Sequence, residues 1–175
     1  MSDISERPYH AFFSYSHKDR DIALKLHFWL TKVAGFQVWL DENDLPTGSS
    51  VAASIPVQMS SCRSWILLAS KNSIASRWVG AETKQALHYE SDIAGFRLII
   101  LRIDNCPLEK IESLSRFKWL EMPDGVLTPI IARNILDTLD GRTWSGHQTG
   151  LREIYISRGW KAQDRSFADA VCKGL

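Results

Sequence analysis

Short apolar runs alternate along the chain with longer stretches in which apolar residues recur every three or four positions. Tyr9-His10-Ala11-Phe12-Phe13-Ser14-Tyr15 is short and rich in aromatics, which predicts a strand. Ser16 to Asp21 is polar and can start a helix. From Ile22 the apolar residues fall at 22, 23, 26, 29, 30 and 33, the spacing of one helix face, until Gly35 stops it. Phe36 to Leu40 predicts a second strand, and Asp41 to Ser50 an acidic loop containing Pro and Gly. Val51 to Cys62 can carry a helix with Val51, Ile55 and Met59 on one face, which Pro56 distorts or begins. Trp65 to Ser70 predicts a third strand, Arg77 to Glu90 a helix and Phe96 to Ile103 a fourth strand. Phe117 to Leu120 predicts a short fifth strand. Val126 to Leu139 predicts a last helix, with Pro129 acceptable in its first turn.

Five strand–helix alternations imply parallel strands joined by right-handed crossovers, hence an open α/β sheet with helices on both faces. The third strand is almost continuously apolar, as a strand covered on both faces should be. Ligands of such sheets bind beyond the carboxyl ends of the strands, where the strand order reverses. The segments to watch therefore follow Tyr15, Leu40, Ser70 and Ile103.

At 175 residues the chain is long enough for one domain with a real core. Twenty-one basic residues oppose twenty acidic ones, so nucleic-acid binding through a basic surface is not expected. Cys62, Cys106 and Cys172 lie far apart and odd in number, which is no disulfide framework and fits a reducing, cytoplasmic setting. No apolar run approaches the length of a membrane span or a secretory signal. Residues 141–150 (GRTWSGHQTG) read as a linker between a domain at 1–140 and a second module starting at 151–175. That tail partly echoes the start of the chain, since Phe13-Ser14 matches Ile156-Ser157 and Asp19-Arg20 matches Asp164-Arg165.

Phosphate-loop and dinucleotide glycine motifs are absent, as is the G-x-S-x-G of serine hydrolases. The histidines show no metal-ligand spacing, so no metal is expected. A phosphoacceptor receiver needs an acidic pair after the first strand and an Asp ending the third; here stand Ser14-Tyr15-Ser16 and Ala69-Ser70. Cys62 reads as a small packed hydrophobe. One helix carries candidate chemistry. Trp78 and Glu82 are four residues apart and share a face just beyond the third strand. The spacing alone admits two readings: an exposed glutamate beside a core-covering Trp, or a carboxylate and an aromatic face that together hold a sugar and a flat cationic ring.

Four segments, in order, resemble the TIR (Toll/interleukin-1 receptor) domain over residues 8–140. His10 to Ser16 resembles its first box, Asp41-Glu42-Asn43-Asp44-Leu45-Pro46-Thr47-Gly48 its BB loop, and Phe117-Lys118-Trp119 its third box. Ser76-Arg77-Trp78-Val79-Gly80-Ala81-Glu82 resembles the S-x-W-x-x-x-E segment of its NAD-cleaving members. The resemblance implies a flavodoxin-like, five-stranded parallel sheet in the order 2-1-3-4-5. It also implies NAD+ glycohydrolase activity, giving nicotinamide and ADP-ribose or a cyclic isomer, with NAD+ as substrate and no cofactor. Glu82 falls on the catalytic glutamate and Trp78 on the nicotinamide-side aromatic. Tyr15, Ser16, Gly48 and Ser50 fall where ligand or a neighbouring subunit is held. Asp41, Asp44, Leu45 and Pro46 fall on the subunit-contact loop, through which one copy completes the site of the next. Val79 stands where a Cys is frequent, and Ser50 where some hydrolases place an aromatic. A TIR chain with an appended module resembles prokaryotic defence proteins, whose second module takes an activating ligand. The alternative within the same resemblance is a non-catalytic adaptor that acts by TIR–TIR self-association.

Overall fold

The computed structural model describes residues 4–40 and 51–141, and of residues 51–55 and 78 the backbone alone. Five strands form one parallel sheet: β1 (Ala11–Ser14), β2 (Val38–Leu40), β3 (Ser64–Ala69), β4 (Arg97–Arg102) and β5 (Leu120–Glu121), in the order β2-β1-β3-β4-β5. This is the expected flavodoxin-like topology. The order reverses between β1 and β3, so a crevice opens beyond their carboxyl ends.

Alternation along each strand sorts the side chains onto two faces. Ala11, Phe13, Val38, Leu40, Ile66, Leu68, Ile99 and Leu101 join one apolar cluster. Helices α1 (Arg20–Phe28) and α6 (Pro129–Leu139) cover it with Ala23, Leu26, Ile131, Ile135 and Leu139. Phe12, Trp39, Trp65, Leu67 and Ile100 face the other way. There α2 (Val51–Ser60) supplies Met59, α4 (Arg77–Asp92) supplies Val79 and Ala86, and the segment after β4 supplies Cys106, Leu108 and Leu114. All six residues of β3 are buried, as its unbroken apolar run requires.

Element ends follow local chemistry. The first helix runs on through a π-helical turn, Trp29–Val33, and stops at Gly35, whose φ of +77° suits glycine. Thr128 caps α6 and Pro129 occupies its first position, three residues later than the apolar pattern begins. Pro56 lies inside α2 rather than at its start, and its carbonyl accepts from Tyr89 Oη at 3.0 Å. Cys62 is fully buried, and burial pushes its thiol up to about 12.

The fifth strand is displaced from the expected 117–120. Phe117 N–H still bonds back to Leu114 O, closing the turn after α5 (Glu112–Ser115), so pairing begins only at Leu120 opposite Leu101. Phe117-Lys118-Trp119 is a lead-in to the strand. Glu121 then grips Arg102 through both carboxylate oxygens and accepts Trp119 Nε1 at 2.8 Å, while Arg102 lies over the Trp119 ring. Among the described residues no helix is long and apolar enough to cross a membrane.

Candidate functional site

The carboxyl edge around β1 and β3 is built from two loops and the start of α4. After β1, Tyr15 and Ser16 turn into a single 3-10 turn, His17–Asp19, and then α1. Ser16 caps that turn, its Oγ accepting Lys18 N–H at 3.4 Å. After β3, Ser70 caps the short helix α3 (Lys71–Ala75) with a reciprocal box: Ser70 Oγ accepts Ser73 N–H at 2.9 Å, and Ser73 Oγ accepts Ser70 N–H at 2.7 Å. One residue later Ser76 caps α4, its Oγ accepting Val79 N–H at 3.4 Å. The sheet edge therefore sets where α4 begins.

Val79, Glu82 and Ala86 follow a spacing of three and four, so they share one stripe of α4. That stripe faces the sheet: Val79 is 3% exposed, and Glu82 and Ala86 are 0% exposed. Glu82 is thus a carboxylate wholly removed from water, on the helix face that also contributes to the Phe12–Trp39–Trp65 cluster. The reading of an exposed, solvated glutamate does not hold. Trp78 lies on the backbone of the first turn of the same helix.

Tyr15 and Ser16 are buried as well, at 6% and 8% exposure. The Tyr15 ring belongs to the cluster under α1 and α6, with the Phe13 ring 6.0 Å away. Its ring therefore belongs to the core cluster on the other face of the sheet from the one that Val79 and Ala86 of the Glu82 stripe join. Asp41, Asp44, Leu45, Pro46, Gly48 and Ser50 lie outside the described residues, as do the linker from residue 142 and the tail at 151–175. Among the described residues no cluster of His, Cys, Asp and Glu could hold a metal.

A polar group not foreseen from sequence bridges the two loops. Asp19, 9% exposed, accepts Ser70 Oγ at 2.5 Å on one carboxylate oxygen and Asn72 Nδ2 at 2.8 Å on the other. Asp104, after β4, accepts Lys71 N–H at 3.0 Å and Cys106 N–H at 2.9 Å. The connections after β1, β3 and β4 are thereby tied in a row. The signal was present in the polar run Ser70-Lys71-Asn72-Ser73 directly after an apolar strand, and in a carboxylate five residues beyond β1.

A sequence profile described as TIR domain matches residues 12–129. Curated protein sequences give no significant match. Among solved structures, the chain is similar to the TIR domain of the Toll-related receptor TRR-2 from Hydra magnipapillata, with a TM-score of 0.64 and 16% identity over 75% of this chain and 98% of that one. It is also similar to a metazoan TIR-STING receptor from C. gigas, solved in complex with 2',3'-cGAMP, with a TM-score of 0.61 and 20% identity. There the match covers 75% of this chain and 39% of the receptor. At these identities the likeness establishes the fold.

Proposed function

The chain belongs to the TIR-domain family, and from that premise we propose that it is an NAD+ glycohydrolase. It cleaves the nicotinamide–ribose bond and leaves ADP-ribose or a cyclic ADP-ribose isomer. The observation that carries this reading is the burial of Glu82. A carboxylate with no exposed surface on an apolar helix stripe costs folding energy that an apolar side chain there would not. Such costs persist where a site needs the charge. The residue also ends the S-x-W-x-x-x-E segment of Ser76 to Glu82.

The chemistry suits a buried carboxylate. As neutral nicotinamide departs, positive charge is left on the ribose, and the transition state resembles the oxocarbenium ion of glycoside hydrolysis. Glu82 stabilises that charge and accepts hydrogen bonds from the ribose hydroxyls. Trp78 covers the pyridinium ring before the bond breaks. No metal or cofactor takes part. Because Glu82 is sealed in the single chain, turnover requires that its cover move. The segment Asp41 to Ser50 of a neighbouring copy, with Asp41, Asp44, Leu45 and Pro46 in contact and Gly48 and Ser50 near substrate, completes the opened site. In this reading the protein works in the cytoplasm in prokaryotic immune defence, and a module beyond residue 150 takes the activating ligand.

Membership of the TIR family fits a second reading, an adaptor that self-associates without catalysis. Concentrated protein incubated with NAD+ and analysed by chromatography decides between them. Nicotinamide release that rises more steeply than protein concentration, and that is lost in Glu82→Gln, supports the hydrolase. No release from assembled protein supports the adaptor.

A further inference from the structure

We propose that Asp19 is a positioning residue: by bridging the switch point of the sheet it sets where the Glu82 helix stands relative to the loop after β1. The inference rests on the reading of Glu82 as the acting carboxylate. Its grounds are separate. β1 and β3 are neighbours whose following chains leave in opposite directions around the sheet, and their ladder ends at the Ser14–Leu67 pair, so the crevice beyond it is not held by β1–β3 backbone pairing. Asp19 holds it with side-chain bonds. One oxygen takes the Ser70 hydroxyl at 2.5 Å and the other the Asn72 amide at 2.8 Å, so both donors come from the β3 side and the carboxylate from the β1 side.

The bridge reaches α4 through short, stiff steps. Ser70, which donates to Asp19, is also the cap of α3, and its Oγ accepts Ser73 N–H at 2.9 Å. α3 ends at Ala75, Ser76 alone separates it from α4, and Ser76 caps α4. Rotating Ser70 away from Asp19 therefore disturbs the cap, the short helix and the first turn of α4 in sequence. Ser70 and Ser73 are 1% and 0% exposed, so water cannot readily replace the lost partner. Asp104 steadies the other side of this loop by accepting Lys71 N–H at 3.0 Å. Asp19 need not touch substrate for this role.

The donors show why an aspartate is required. A carboxylate offers acceptors on both oxygens, and here each meets a donor. Asparagine keeps the shape and one acceptor but turns an NH2 toward the second donor. Alanine removes both bonds.

The test compares wild type, Asp19→Ala, Asp19→Asn, Ser70→Ala and the Asp19→Ala/Ser70→Ala pair in the full chain. Three quantities are read: kcat and KM for nicotinamide release, hydrogen exchange by mass spectrometry, and the urea midpoint. A positioning role predicts that Asp19→Ala lowers kcat by about ten- to a hundredfold, because small misplacements of reacting groups cost that much. KM should change less. Exchange should quicken selectively over residues 71–82, Asp19→Asn should recover part of the loss, and the double variant should be no worse than the worse single one. Unchanged kcat in Asp19→Ala overturns the proposal. So does exchange that quickens evenly across α1, α4 and α6, because that marks a general stability role. If wild type releases no nicotinamide, the hydrolase reading fails, and exchange over 71–82 alone then decides whether the bridge holds the helix.

Discussion

The indole Nε1 of Trp65 donates to Ser14 Oγ across the β1–β3 pair, inside the sheet face that lies beneath the Glu82 helix. Phe12 stands directly opposite Trp65 in the register, and Ser14 is the next residue of β1 on the same face. Trp65 is 0% and Ser14 1% exposed, so this hydroxyl answers an N–H that water does not reach. Ser14→Ala should lower stability by about 1–3 kcal/mol, the cost of leaving a buried donor unpaired. Urea titration followed by circular dichroism checks it: the midpoint should fall with an unchanged slope. An unaltered midpoint would show that the indole finds another acceptor.

Two glycines with similar backbone angles should respond differently to alanine. Gly35 has φ +77° and nothing within 4 Å of where a Cβ would stand. Gly125 has φ +73°, but there a Cβ would lie 2.5 Å from Ile22 Cγ2 and close to two more atoms of that side chain. Gly35→Ala carries only the left-handed backbone cost, about 1–2 kcal/mol. Gly125→Ala adds a clash at the packing of the β5–α6 turn on α1, for about 2–4 kcal/mol in all. Melting curves of the two variants should separate them in that order, and equal losses would refute the steric part of the argument.

The Arg102–Glu121 pair gives β5 a pH dependence. Hydrogen bonds from Arg102 hold the Glu121 carboxyl below its ordinary value of 4.5, with the Trp119 indole adding to the effect. A carboxyl whose value is lowered by folding contributes stability that is present above its unfolded value and disappears as pH falls through the folded one. Glu121 is half exposed, at 52%, so solvent screens the pair and its worth is small. The stability gap between wild type and Glu121→Gln should therefore be steady from pH 7 down to about 4.5 and close below it. It should also narrow in high salt. Trp119 fluorescence reports the same transition locally. A gap that widens on acidification would contradict the assignment.

Legibility in the sequence tracked how local each signal is. Strands β1 to β4 and helices α1, α4 and α6 are long enough, or apolar enough, for period and run length to reveal them. The short helices α3 and α5 have no period to read and exist because caps and neighbouring loops hold them. β5 pairs over two residues, so its place is set by the turn before it and by Arg102, which is distant in sequence. At the candidate site, the placing of Trp78 and Glu82 on one helix was legible because a helical turn is a local relation. Two facts were not. Tyr15 follows the alternation of β1 into the cluster opposite the Glu82 stripe, which matters only once the sheet has two covered faces. The bond between Asp19 and Ser70 spans 51 residues and is created by strand order alone.

The chemistry proposed for Glu82 yields the sharpest prediction. A carboxylate about 4 Å from the developing positive charge, at an effective dielectric of ~20, attracts it by about 4 kcal/mol. In rate that corresponds to roughly a thousandfold. Glu82→Gln preserves the volume of a side chain with no exposed surface and keeps its hydrogen-bonding reach, so the fold should survive where a truncation would leave a cavity. What is lost is the carboxylate that the proposed chemistry needs. The variant should therefore bind NAD+ nearly as wild type does and release nicotinamide slower by about two to three orders of magnitude, a fall in kcat with KM held. On the same proposal Trp78→Ala should act in the other sense, raising KM more than it lowers kcat, because the proposed stacking on the pyridinium ring is strongest before the bond breaks. Nicotinamide release measured at equal concentration in the assembled state, with circular dichroism to confirm folding, distinguishes the two patterns. Equal turnover by wild type and Glu82→Gln would remove the proposed role from Glu82, because that role requires the carboxylate.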